Sequence, residues 1–150
     1  MAKEGDAAPD FELPAINGTF RLSNFLGRRI VIFFYPKDGT PGCTAENCLI
    51  RDTLPNFERH GALVVGISRD SLESHKRFAE KHRLSHILLS DVDGEVSRSY
   101  DALDFLGMSK RMTFIIDEHG KIRKIIKDRR PEMHVREALS FLENMDKDEV

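Results

Sequence analysis

Three short apolar runs constrain this chain most. Residues 30–35 read IVIFFY, 63–67 read LVVGI and 113–116 read TFII. Each is rich in β-branched and aromatic residues, and each is followed by turn-type or charged residues, as buried strands are. The longest run is six residues, far short of the roughly 20 that a membrane span needs. Weaker strand signals cover 87–89 and 122–126. The second of these joins 113–116 through Asp117-Glu118-His119-Gly120, which reads as a hairpin turn. Short alternating pieces at 11–13 and 19–22, across Asn17-Gly18, predict an N-terminal hairpin.

Helical signals fall between these strands. Thr40 followed by Pro41 suits an N-cap and a first helical residue, which predicts a helix over 40–52. Pro55 is expected to end or kink it, with a further helical piece over 56–60. Ser71 is positioned to cap a helix over 71–82, and 95–100 reads as a short helix. In 134–145, Val135, Ala138, Leu139, Leu142 and Met145 recur near a 3.6-residue period. Strands alternating with helices imply an α/β fold: a central mixed sheet flanked by helices on both faces, with parallel βαβ units, an antiparallel late edge and an N-terminal hairpin extension. The 150 residues match the commonest size of one compact domain, so a single domain over 1–150 is expected.

Charge narrows the function classes. The 23 basic and 25 acidic residues leave a net charge of −2, against the basic excess of a general nucleic-acid binder. Six basic residues do gather in 121–130, but on an alternating edge strand and loop they read as a solvated face. The first residues carry Lys3, Glu4, Asp6, Asp10 and Glu12 instead of an apolar leader, and 146–150 are polar. A cytoplasmic location away from membranes is therefore expected. In a reducing compartment, two cysteines read as catalytic, redox-active or metal-binding before they read as structural. C-x₄-C with no nearby histidine is a weak metal pattern, and His60, His75, His82, His86, His119 and His134 are dispersed. No metal is expected, and the histidines read as surface or packing residues.

The informative segment is Phe34-Tyr35-Pro36-Lys37-Asp38-Gly39-Thr40-Pro41-Gly42-Cys43-Thr44-Ala45-Glu46-Asn47-Cys48. It runs from a buried strand through a tight loop into a helix, the place where open α/β sheets put their sites. Cys43 falls in the first helical turn, where free backbone N–H groups and the positive end of the helix dipole favour an anion. The anion is the reactive form of cysteine, so Cys43 is placed to be a thiolate nucleophile. Cys48 comes five residues later. On an intact helix that spacing means a rise of about 7.5 Å and a rotation of about 140°, whereas a disulfide tolerates Cα atoms up to about 7 Å apart. Either the two never bond, or the helix unwinds locally when they do. A passive reading also stands for each: a small buried hydrophobe, most naturally for Cys48 beside Leu49 and Ile50.

At these residues the chain resembles the peroxiredoxins. Pro36-x₃-Thr40-x₂-Cys43 matches their active-site motif, and a second cysteine at Cys48 resembles the atypical two-cysteine branch called bacterioferritin comigratory protein or peroxiredoxin Q. Ala8-Pro9-Asp10-Phe11 is similar to that family's opening, Arg111-Met112-Thr113-Phe114-Ile115-Ile116-Asp117 to its later arginine-bearing strand, and His134-x-x-Glu137-x-Leu139 to its last helix. The resemblance spans nearly the whole chain. It implies a thioredoxin-like fold and reduction of hydrogen peroxide or organic hydroperoxides, with electrons from thioredoxin or a similar dithiol and no cofactor. It implies Cys43 as the peroxidatic cysteine and Cys48 as the resolving one, joined in an intramolecular disulfide. It implies Thr40 as the hydroxyl that meets the peroxide, Pro36 as a shield of the pocket, Arg111 as the guanidinium serving thiolate and peroxide, and Glu46 as a supporting carboxylate. Backbone N–H groups of Gly42 and Cys43 would stabilise the departing oxygen. Relatives of this branch are often monomers, though dimers occur, so the resemblance implies a monomer or weak dimer.

Two other readings compete. A thiol–disulfide oxidoreductase on the same fold would carry C-x₂-C and a proline before the strand facing the site; here C-x₂-C is missing and Arg111-Met112-Thr113 stands at the strand. A non-catalytic module with an incidental cysteine pair would leave Cys43 an ordinary thiol, indifferent to Arg111.

Overall fold

A computed structural model describes residues 2–148. The elements, in chain order, are β1 (Glu12–Ala15), β2 (Gly18–Arg21), a 3₁₀ turn (Leu22–Phe25), β3 (Arg29–Phe34), α1 (Pro41–Arg59), β4 (Ala62–Ser68), α2 (Leu72–His82), β5 (Ile87–Ser90), α3 (Glu95–Ser99), β6 (Met112–Ile116), β7 (Ile122–Lys127) and α4 (Pro131–Asp148). The seven strands form one mixed sheet in the order β2-β1-β5-β4-β3-β6-β7. β3, β4 and β5 run parallel, and β6 and β7 add the antiparallel edge. The N-terminal hairpin joins the far edge through Ala15 opposite Leu89.

Every residue of β3 is buried, because the strand is covered on both faces. Ile30, Ile32 and Phe34 face one core with Val96 of α3, Tyr100 just after it, Phe11 just before β1, and Leu13 and Phe20 of the N-terminal hairpin. Val31 and Phe33 face the other, with Ile50 and Phe57 of α1 and Val135, Ala138 and Leu142 of α4. Period-2 alternation along the apolar residues that follow Arg29 thus sorts side chains between two cores.

Two helix boundaries differ from the sequence reading. α1 runs without a break through Pro55 to Arg59, although a proline removes one backbone hydrogen bond. Pro55 lies on the exposed side of the helix, where that loss costs least. The buried Ile50 and Phe57 on either side of it hold the helix to the core. α4 begins at Pro131, three residues before the expected start at His134, because proline fits the first helical turn and Glu132 suits its dipole. The Ser71 cap is as expected: its hydroxyl accepts from the Ser74 N–H at 3.1 Å.

Candidate active site

Cys43 lies in the first turn of α1, just beyond the C-terminal end of β3, and is 1% exposed. Thr40 is the N-cap residue and Pro41 the first helical residue, as their types predict. The Thr40 hydroxyl, however, does not cap the helix: it donates backwards to the Lys37 carbonyl at 2.8 Å. The N–H groups of Gly42 and Cys43 therefore keep no side-chain cap, and the helix dipole ends on them. Pro36 sits half-buried in the turn between β3 and Thr40.

Arg111 precedes β6, which pairs antiparallel with β3, so residues far apart in sequence meet at one end of the sheet. Its Nη2 donates to Cys43 Sγ at 3.4 Å, and its Nη1 donates to Glu46 Oε1. One guanidinium thus bridges the cysteine and a carboxylate one helical turn away. Gly42 makes room for it: a Cβ there would lie 3.1 Å from Arg111 Nη2 and 3.4 Å from Pro131. The strand start is fastened from α4. His134 Nε2 donates to the Asp128 carbonyl at 2.7 Å, and Thr113 Oγ1 donates to His134 Nδ1 at 2.8 Å. Burial holds His134 below the usual histidine range, which agrees with this neutral tautomer.

Glu46 is fully buried, and its Oε2 has no hydrogen-bond partner among the described residues. Burial pushes its carboxyl up to about 7, against the pull of Arg111. Between a carboxyl's usual 4.5 and about 7, the folded protein holds a proton that the unfolded chain has released. The stability tied to this group is therefore complete below pH 4.5 and is lost as pH rises to 7, a change of about 3 kcal/mol. Glu46→Gln is expected to flatten this decline. Calorimetric melting of both proteins at pH 5 and pH 7.5 checks it; equal pH slopes would refute the assignment.

The next residue secures the other side of α1. Asn47 Nδ2 donates to the Cys43 carbonyl at 2.9 Å, and Asn47 Oδ1 accepts from His86 Nε2 at 2.9 Å. His86 is pushed down to about 4 by burial and stays neutral. A Cβ on Gly66 would lie 3.0 Å from Leu88 Cδ2 and 3.3 Å from Tyr35 Cε1, so that glycine makes room for those two side chains beside Asn47.

Cys48 is partly buried on the same unbroken helix, and both cysteines are free thiols. The arrangement thus brings Cys43, Arg111, Glu46 and Gly42 together. It holds Thr40 at the helix start by its bond to the Lys37 carbonyl, and leaves Cys48 five residues along α1 from Cys43. The sequence reading missed the fastening residues Asn47, His86, Thr113 and His134. Their pairings span 21 to 39 positions, and a dispersed histidine carries no local signal of a buried partner.

This geometry agrees with the comparisons with known proteins. The AhpC/TSA family model matches residues 4–125. Peroxiredoxin Bcp of Bacillus subtilis (strain 168) is 39% identical over 150 residues, covering 94% of this chain and 95% of that protein. The chain belongs to the AhpC/TSA peroxiredoxins, in the Bcp and peroxiredoxin Q branch. Chloroplastic peroxiredoxin Q of Populus jackii is 40% identical over 146 residues, covering 95% of this chain and 68% of that one. Among solved structures, peroxidoxin BcpB of Mycobacterium tuberculosis superposes with a TM-score of 0.89 at 38% identity, covering 96% of this chain and 98% of that one. The fold of this peroxiredoxin is accordingly thioredoxin-like, and its activity is that of a thiol peroxidase acting on hydroperoxides. No helix among the described residues is long and apolar enough to cross a membrane.

Proposed function

We propose that Cys43 is the peroxidatic cysteine and Cys48 the resolving one, in a cycle completed by thioredoxin or a similar dithiol protein in the cytoplasm. The bridge from Arg111 to both Cys43 Sγ and Glu46 carries the reading, because it puts a fixed cation on the sulfur that must react as an anion. The Cys43 thiolate attacks one peroxide oxygen and the O–O bond breaks. Cys43 becomes a sulfenic acid, and the leaving oxygen takes a proton and departs as water or alcohol. Arg111 and the N–H groups of Gly42 and Cys43 supply donors for the charge on that leaving oxygen. Thr40, turned towards Lys37 in this state, has only to rotate its hydroxyl to address a bound peroxide, and Pro36 limits access of water.

The sulfenic acid then condenses with the Cys48 thiol, forming the disulfide and releasing water. On α1 as it stands the two residues are separated by a rise of about 7.5 Å and a turn of about 140°, so the segment between them must unwind. Unwinding releases the buried Glu46 and Asn47 from Arg111 and His86. An external dithiol reduces the disulfide by exchange through a mixed disulfide.

The test is intact mass and a non-reducing peptide map after one equivalent of hydrogen peroxide is added to fully reduced protein. A loss of about two mass units with a Cys43–Cys48 cross-link is expected. Cys48→Ser should stop at oxygen added on Cys43 and proceed to irreversible sulfinic acid with excess peroxide. No change at either cysteine of the unaltered protein would overturn the proposal.

A further inference from the structure

The turn that carries Pro36 and Thr40 rests on a buried cluster that the cysteine chemistry does not use. Asp38 at its centre is 4% exposed in its side chain, and His75 of α2 is fully buried. Asp38 Oδ1 accepts from the Tyr35 hydroxyl at 2.6 Å. Asp38 Oδ2 faces His75 Nδ1 at 2.7 Å and accepts from Ser74 Oγ at 2.9 Å. The Asp38 N–H donates to Asp70 Oδ2 at 2.9 Å, and Asp70 is held in turn by Ser68 and Ser90 at the ends of β4 and β5. His75 Nε2 faces the Leu89 carbonyl at 2.9 Å.

Donor and acceptor bookkeeping decides what this cluster is. A carbonyl only accepts, so His75 Nε2 carries a proton. The contact between Nδ1 and the Asp38 carboxyl then needs one more proton, on either partner. The pair is therefore joined through a single shared proton in a hydrogen bond between Nδ1 and the carboxyl. The other groups facing the pair do not replace it. Tyr35, just after β3, is held in its neutral form, pushed well up by burial and by Asp38 and Asp70. Asp70 already accepts from the Asp38 N–H and from Ser68. Arg77, Lys81 and His82 of α2 line the groove above Asp38, and no hydrogen bond joins them to it among the described residues.

We propose that His75 is a positioning residue for the peroxide reaction: through the proton it shares with Asp38, it fixes the turn from Pro36 to Thr40 against the sheet, so that α1 starts, and after each cycle restarts, with Cys43 beside Arg111. The inference rests on Cys43 being the reacting cysteine. It adds the upstream limit of unwinding, which falls after Asp38 at Gly39, whose positive φ of 80° with open space around it suits a hinge.

The test is the second-order rate of reduced protein with hydrogen peroxide at pH 7, with Cys43→Ser as the reference that locates the reaction. His75→Leu removes the donor and is expected to slow the reaction at least tenfold. His75→Asn keeps an N–H donor at the position of Nδ1 and is expected to restore the rate to within threefold of the unaltered protein's. Asp38→Leu removes the acceptor from the other side, is expected to slow the reaction as His75→Leu does, and keeps the test open should the histidine variant fail to fold. A folded His75→Leu protein that reacts within threefold of the unaltered one, or a His75→Asn protein as slow as His75→Leu, overturns the proposal. Reaction that survives Cys43→Ser would bring down the reading of the active cysteine itself.

Discussion

Cys43→Ser is expected to reduce peroxide consumption to the background of the remaining Cys48 thiol, a loss on the order of 10⁶-fold, the lower end of what enzymes add to an uncatalysed reaction. The size follows from the position. Cys43 is the cysteine that heads a helix, lies 1% exposed and takes a guanidinium N–H at 3.4 Å. Cys48 sits further along α1, past the end of the dipole, on a side that does not meet Arg111. Serine preserves the shape, so a folded but inactive protein is the expected product. The measurement is stopped-flow peroxide consumption with melting temperature as the control. Retention of more than a few per cent of the rate would move the chemistry to Cys48.

The second large effect is at Arg111. Arg111→Met should lower the second-order rate with hydrogen peroxide by about 10²–10³-fold, the usual cost of losing one donor to a developing oxyanion. Arg111→Lys should recover only part of this. The two arms of the guanidinium address Cys43 and Glu46 in one fixed fork, a geometry that a single ammonium does not reproduce. Removing the cation also leaves Glu46 buried without a partner, and its carboxyl takes up a proton instead of bearing an unpaired charge. The rate loss should therefore exceed any stability loss. Combining Arg111→Met with Glu46→Gln should restore stability and leave the rate low. If both single variants lose rate and stability in parallel, Arg111 acts through folding alone.

Much of this was legible in the chain. The six-residue apolar run 30–35, the turn signals after it and Thr40-Pro41 lead directly to a strand, loop and helix with Cys43 in the first turn. Local rules suffice there because strand period, proline at the first helical position and glycine in the turn all act within a few residues. Pro55 shows where they stop. A proline inside a helix is a local penalty, and the burial of Ile50 and Phe57 outweighs it. Thr40 shows a subtler limit: its type marks the cap position, yet its hydroxyl turned to Lys37. Arg111 was placed at the site by resemblance alone, since an arginine before a strand carries no sign of what it faces.

By itself the sequence determined the order of elements, the two-faced burial of the central strands and the helix start that favours an anionic sulfur. These depend on periodicity and backbone conformation, which neighbouring residues set. The tertiary structure alone decided that Arg111 spans Cys43 and Glu46, that Glu46 is buried with one oxygen unpartnered among the described residues, and that His75 meets Asp38 beneath the turn. Each depends on strands and helices distant in the chain meeting at one end of the sheet, where exclusion of water makes a charge or a proton costly to leave unpaired.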